Sequence, residues 1–386
     1  MDIDFSWILL GLPIAFALGW LASRIDLKQL RVENRQAPKA YFKGLNYLLN
    51  EQQDQAIDAF IEAVQKDPET SELHFALGNL FRRRGEYERA VRVHEHLLSR
   101  ADLSKSDRER AQHALSLDFL KAGLLDRAED ALRKLDGTRF QDRAWLTLLA
   151  IYERSRDWLK ASEVAARLQA AGQGDFTGRQ AHYLCEQAVA ALASDRTGAA
   201  AQQLLNHAIQ GAPNAPRPRI QLAGLLAGRG DLAGAFDALA TLPTHAPQAM
   251  PLIASELVRI GQAADRLPTA VALLRQSYAA TPSLDVLEAL VQAQVLQGAS
   301  RDAARELYIQ HMAQEPSMIA AARWLSQEKL THEQAHETVQ RSLEHASRPL
   351  ARYRCAACGF EAQGYFWQCP GCQAWESFPP RRIEEL

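Results

Sequence analysis

Leu77-Gly78-Asn79-Leu80-Phe81-Arg82-Arg83-Arg84-Gly85-Glu86-Tyr87-Glu88-Arg89-Ala90 is the stretch that decides how the rest of the 386-residue chain is read. Gly78 sits beside bulky Leu80 and Phe81, Gly85 interrupts the run, and Tyr87 and Ala90 open a second one. This pattern suits two helices that cross closely at a residue without a side chain and fill the groove beside it. It also recurs. Gly44, Tyr47 and Ala56 stand 34 residues before Gly78, Phe81 and Ala90, and Phe60, Ala63 and Pro68 complete the earlier unit. A unit of about 34 residues is one helix–turn–helix, which buries its apolar face only by stacking on its neighbours.

The phase continues downstream. Around Ala128 the packing positions are Leu115, Phe119, Gly123, Leu132 and Leu135; around Ala161 they are Trp145, Leu148, Tyr152, Ala165 and Leu168. Next come Leu192, Ala201, Leu205, Ala208 and Pro213, then Leu222, Leu226, Gly230, Ala235 and Leu239, and the last two units end at Pro282 and Pro316. The spacing predicts about eight repeats over residues 38–316, with Ala101–Lys105 and Gly172–Gly178 as longer inter-helix turns. Leu77–Ala90 closely resembles the tetratricopeptide repeat. The expected fold class is therefore all-α, a tetratricopeptide superhelix whose concave face binds peptide segments. Asn79, Arg82 and Arg83 lie beside packing positions on a first helix, placed to hold a partner's carboxylates or to form a solvated face. Cys185 falls where a helix packs and reads as a buried small residue. His94-Glu95-His96 reads as helix surface.

From Phe5 to Ala22 no residue is charged, a run just long enough to cross a bilayer, with Trp7 and Trp20 near its ends. Asp2 and Asp4 precede it, unlike a signal peptide. Arg24, Lys28, Arg31, Arg35, Lys39 and Lys43 follow it against only Asp26 and Glu33. By the positive-inside rule, residues 1–23 anchor the chain with its N-terminus outside, and all that follows lies in the cytoplasm. The expected order is then a juxtamembrane linker at 24–37, the repeat array at 38–316, terminal helices at 317–350, and a final module at 351–386.

That module holds Cys355-Ala-Ala-Cys358-Gly359 and Cys369-Pro370-Gly371-Cys372, two Cys-x-x-Cys pairs separated by residues 359–368. The spacing is that of a four-thiolate metal site, zinc or iron, with Gly359 relaxing the backbone after the first pair and Pro370-Gly371 bending the second. A redox pair needs one such motif beside a strand–helix unit. Disulfides need an oxidising compartment, which the topology excludes. Only Cys185 lies outside the cluster. So short a module cannot bury a sufficient core, so metal ligation supplies folding free energy. Tyr353, Phe360, Tyr365, Phe366, Trp367, Trp375 and Phe378 are expected to cover the metal and dock on the last repeat helices.

Net charge is −2, from 44 Lys and Arg against 46 Asp and Glu, which gives no electrostatic footprint for nucleic acid. His332-Glu333-Gln334-Ala335-His336 spells a metalloprotease signature. Thr331 and Gln334 make the same residues a capping box, and Ala335, Val339, Leu343 and Ala346 read as the apolar stripe of a terminal helix. No third ligand and no phosphate loop or nucleophile elbow accompany it, so no enzyme activity is expected.

One anchor, a repeat array and a four-cysteine knuckle together resemble the lipopolysaccharide assembly protein B family of Gram-negative inner membranes, over essentially the whole chain. The sharpest matches are Leu77–Ala90 and the segments Tyr353-x-Cys-x-x-Cys-Gly-Phe360 and Trp367-x-Cys-Pro-x-Cys-x-Ala-Trp375. The resemblance implies a membrane adaptor for an FtsH-type protease that promotes degradation of the lipid A pathway deacetylase, antagonised by an inner-membrane regulatory protein. A generic scaffold for lipopolysaccharide enzymes or transporters is the alternative. The loop between the knuckles is shorter than in rubredoxin, so electron transfer does not carry over.

Overall fold

The structure, a computed structural model, describes residues 16–20, 42–66, 70–194, 197–327 and 335–386. The expected anchor lies outside the described residues except for 16–20; among the described residues no helix is long and apolar enough to cross a membrane. The chain divides into two compact units, Met1–Ser155 and Arg156–Leu386.

In the first unit a helical segment over residues 42–49 precedes α1 (Gln53–Lys66), α2 (Ser71–Arg84), α3 (Tyr87–Ser99), α4 (Lys105–Lys121), α5 (Leu125–Arg133) and α6 (Gln141–Ser155). Each turn from the first to the second helix of a pair contains a left-handed residue: Glu51, Gly85 or Gly123. At Gly85 the turn is closed by bonds from the Gly85 N–H to the Arg82 carbonyl and from the Glu86 N–H to the Phe81 carbonyl, which end α2 and start α3 two residues later. The quoted stretch therefore folds as expected. Gly78 faces α3 so closely that a Cβ built on it would lie 2.5 Å from the His94 ring, and one on Gly44 would lie 2.8 Å from Phe60. Ala56, Phe60, Leu77, Phe81 and Ala90 are buried around these crossings.

His94 corrects the surface reading. It is fully buried beneath Gly78, because the space a side chain would take at residue 78 is filled by its imidazole. His94 Nδ1 lies 2.5 Å from Asp118 Oδ2, and Arg82 donates to Asp118 Oδ1 at 2.8 Å. Asp118 is itself fully buried, so Arg82 and His94, from the two helices of one repeat, both answer a single carboxylate on the first helix of the next.

The second unit continues with α7 (Trp158–Ala170), α8 (Thr177–Ser194), α9 (Ala199–Gly211), α10 (Pro216–Gly228), α11 (Leu232–Ala240), the short α12 (Leu242–His245), α13 (Met250–Ala263), α14 (Leu267–Ala280), α15 (Leu284–Leu296), α16 (Arg301–Gln314), α17 (Met318–Ser326) and α18 (His336–Ser347). Pro216, Met250, Leu284 and Met318 begin successive first helices 34 residues apart, so the period persists beyond Pro316. Gly198, Gly230, Asp265 and Gly298 supply left-handed residues at the turns into the second helices. The central core gathers Phe236, Leu239, Met250, Leu257, Leu274 and Leu290. Ala101–Lys105 and Gly172–Gly178 fall at inter-helix turns, as their lengths suggested.

The register differs at two places, on α8 and on α18. Leu192 is exposed, and α8 packs instead through Ala181, Cys185 and Ala188. Five of the eighteen residues of α8 are alanine, so its apolar residues alone do not mark one face. On α10, Leu222 packs half-buried against the cluster of Cys185, Ala188, Ala201 and Leu205, as expected. On α18, Ala335, Val339 and Ala346 are exposed, while the covered side carries His336, Gln340, Leu343 and Ser347, one residue out of phase with the expected stripe. Thr331, His332 and Glu333 lie outside the described residues.

The Gly78 crossing makes a prediction. Gly78→Ala forces a methyl group into the His94 ring and should destabilise the protein by about 1–3 kcal/mol. Gly224→Ala, whose new methyl meets nothing within 4 Å, should stabilise α10 by about 0.5–1 kcal/mol. Urea unfolding of both variants checks the pair; equal stabilities would mean that the close crossing is absent.

Candidate metal centre

The final module is built from two turns of one kind. Tyr353–Arg354 (β1) pairs antiparallel with Glu361–Ala362 (β2), bringing Tyr353 opposite Ala362 and Arg354 opposite Glu361. The hairpin closes over the first knuckle, where the Cys355 N–H bonds the Phe360 carbonyl and the Gly359 N–H returns to the Cys355 carbonyl, both at 2.9 Å. In the second knuckle the Cys369 N–H bonds the Ala374 carbonyl at 2.9 Å and the Gln373 N–H returns to the Cys369 carbonyl at 2.8 Å. Gly359 is left-handed, as expected after Cys358. Its counterpart after Cys372 is Gln373, also left-handed, so the second turn does not rest on Gly371.

These turns aim four sulfurs at one point. All four Sγ atoms lie within 4.8 Å of one another, with Cys355 to Cys372 at 3.8 Å and Cys358 to Cys369 at 3.7 Å. A tetrahedral ion with metal–sulfur bonds of about 2.3 Å requires sulfur–sulfur edges of about 3.8 Å. The residues therefore fit a four-thiolate ion, and zinc and iron satisfy the ligand set equally. The Ser377 hydroxyl, with backbone N–H groups of Cys358 and Ala357, faces the Cys355 sulfur and brings its thiol down to about 6. At Cys358 the Phe360 N–H acts in the same direction, but desolvation and the three neighbouring sulfurs prevail and push the thiol up to about 12. Four thiolates so close repel one another; a divalent cation between them removes the conflict. Cys355 and Cys369 are buried, whereas Cys358 and Cys372 are exposed.

The module does not sit on the last repeat helices alone. It runs along the starts of successive first helices of the second unit. Trp375 stacks on His182 of α8 at 4.7 Å and meets Tyr183 and Trp158 edge-on. His182 Nε2 lies 3.0 Å from Glu376 Oε1, while Arg217 at the start of α10 lies 3.5 Å from Nδ1. Tyr353, Cys355, Cys369 and Phe378 form a small core with Leu252 of α13. Arg382 then holds Asp285 of α15 through two bonds at 2.7 and 2.9 Å. The physical reason for the wider seat is the aromatic set. Trp375 and Tyr365 need large flat partners, which α8 and the module provide, while Phe360 and Phe366 stay exposed.

Arg82 spends its guanidinium on Asp118, the Ala114 carbonyl and Asn79, and Arg83 is exposed on the same helix. Sequence reasoning named none of His182, Asp285, Glu384 or Glu385 as site residues. Their partners lie 65 to 194 residues away, and no local pattern announces such a pairing.

Two outcomes follow from this geometry. Cys355→Ser should lower bound metal from about one ion per chain and release the module, leaving helix content unchanged; elemental analysis with near- and far-ultraviolet circular dichroism tests this. Burial holds the His182 imidazole below its ordinary value against the raising effect of Glu376. The docked form therefore binds fewer protons than the released one, and docking weakens as pH falls below about 6.5. Glu376, held low first by its bond to His182, acts in the same sense at lower pH. A near-ultraviolet signal that falls on acidification, by up to about 1.4 kcal/mol of docking per pH unit, and a flatter response in His182→Phe are expected.

The rubredoxin metal binding domain family matches residues 353–380. Lipopolysaccharide assembly protein B of Escherichia coli strain K12 is 31% identical over 97% of this chain and 98% of its own length. The Haemophilus influenzae protein of the same name is 26% identical over 98% of each. Among solved structures, Naa15/Naa10 bound to HypK-THB is loosely similar, with 16% identity, a TM-score of 0.42, and coverage of 81% of this chain and 46% of that one. Repeat units and four-cysteine module both lie within the span shared with the Escherichia coli protein, and the chain belongs to the lipopolysaccharide assembly protein B family.

Proposed function

We propose that this chain is a membrane-anchored, non-catalytic adaptor in the control of lipopolysaccharide synthesis. Residues 1–23 hold it in the inner membrane and its bulk faces the cytoplasm. There it presents the lipid A pathway deacetylase to an FtsH-type membrane protease and answers to inner-membrane regulatory or transport proteins. The observation that carries this reading is relatedness along nearly the whole chain, repeats and metal module together, to proteins named for lipopolysaccharide assembly. Repeat hairpins of this period stack into surfaces that hold peptides. A cleft of about 740 Å³ supports the reading: it separates the module's Tyr365 and Trp367 from Glu288 and Arg323. The uncharged run followed by a basic flank supports the topology.

Depleting the protein in its own cells should lengthen the half-life of the deacetylase and raise lipopolysaccharide. Re-expressed Cys355→Ser protein should fail to restore turnover. A deacetylase half-life unaffected by depletion would sink the adaptor reading and favour a scaffold that organises envelope enzymes without proteolysis.

A further inference from the structure

The cleft between the metal module and the repeats carries polar groups that the fold itself does not use. Tyr308, from the second helix α16, lines it while only 4% exposed, and its hydroxyl has no hydrogen-bond partner among the described residues. A buried hydroxyl left this way costs the fold free energy unless another molecule answers it. Burial, with the Glu288 charge beside it, pushes the phenol up to about 12, so it stays a donor. Arg323 of α17 makes one side-chain hydrogen bond, from Nε to Glu288 Oε1 at 3.0 Å, and the guanidinium is largely exposed. Its two Nη groups, a planar fork suited to a carboxylate, stay unbonded among the described residues. Tyr308 feels the charges of both Glu288 and Arg323, so hydroxyl and fork share one corner of the cleft.

The other end is apolar. Trp367 and Tyr365 meet there edge to face at 4.9 Å, and Leu252 of α13 and Ile220 of α10 complete the lining. The width of the stack separates the two ends. Helix α13 packs on α15 in the central core, and α15 packs on α17 through Leu287, Val291 and Ile319. Packed helices lie about 8–10 Å apart, so α13 to α17 is about 16–20 Å, the reach of about five or six residues of extended chain. Between the ends Arg382 and Asp285 satisfy each other, and Ser255 and Gln292 stay exposed for a bound backbone.

We propose that this cleft binds an extended segment of a partner protein through an acidic side chain held by Arg323 and Tyr308 and a large apolar side chain, about five residues away, held by Trp367 and Leu252. A carboxylate accepts from the guanidinium fork and the phenol at once, which the single oxygen of a carboxamide cannot match. The site deepens the adaptor reading and rests on it for the cleft being where a partner is held.

The test uses the full-length protein in detergent and fluorescein-labelled peptides of glycine and serine carrying one tryptophan and one glutamate, about five residues apart and in either order. Fluorescence anisotropy should show one order binding about ten-fold more tightly than the same peptide with glutamine for glutamate. Arg323→Gln, at an exposed position, should bring that ratio to about one, and Tyr308→Phe, which keeps the buried ring, should lower it by about three-fold. Arg323→Glu should prefer a peptide with lysine in place of glutamate. Near-ultraviolet circular dichroism matching the intact protein is expected of each variant. Failure of every peptide to bind at millimolar concentration, equal affinity for glutamate and glutamine peptides, or a preference that survives Arg323→Gln overturns the proposal. Selective binding alongside a deacetylase half-life indifferent to depletion upholds the site and removes the adaptor reading.

Discussion

Four sulfurs held within 4.8 Å of one another are stable together only when a cation shares their charge. That constraint governs the last part of the chain, which has two short strands and four residues of buried apolar core of its own. Without the clamp nothing fixes Trp375 against His182 or carries Arg382, Glu384 and Glu385 to the helices they tie. The metal site is small, but it sets the position of residues that touch helices from α8 to α17. A clamp of this kind suits an interaction protein, because it orders a long seam without a large apolar surface.

The repeats solve a different problem. The first two crossings are close-packed where one helix lacks a side chain, Gly44 against Phe60 and Gly78 against His94, and at Gly78 the space goes to an imidazole rather than an aromatic hydrocarbon ring. His94, Asp118 and Arg82 then make a polar bridge between repeats inside an apolar stack. Such a bridge adds little net stability over a packed apolar pair, yet removing one member strands the others. It fixes which face of α4 meets α3.

Much of this was legible beforehand. Gly44, Gly78, Ala56 and Ala90 announced the crossings because a close approach admits few residue types. The Cys-x-x-Cys pairs announced the metal site because ligand spacing is set by local turns. Leu192 misled because the alanine-rich α8 has several faces of similar character, and only neighbours choose among them. His94 misled because a polar residue on a helix is ordinarily solvated, and its partner Asp118 belongs to another helix. The seat of the module was out of reach for a related reason: Glu376, Arg382 and Glu385 meet groups with no sequence relation to them.

The bond from Glu376 to His182 spans 194 positions, and that from Glu385 to Leu284 spans 101. The helical hairpins need only near neighbours and form rapidly as the chain emerges from the ribosome. The module closes its loops last. Throughout synthesis the starts of α8, α10, α13, α15 and α17 are therefore bare, and the second unit is completed by its final residues. A nascent chain halted before Cys372 would already have its repeats in register, with their seam open to any extended segment nearby.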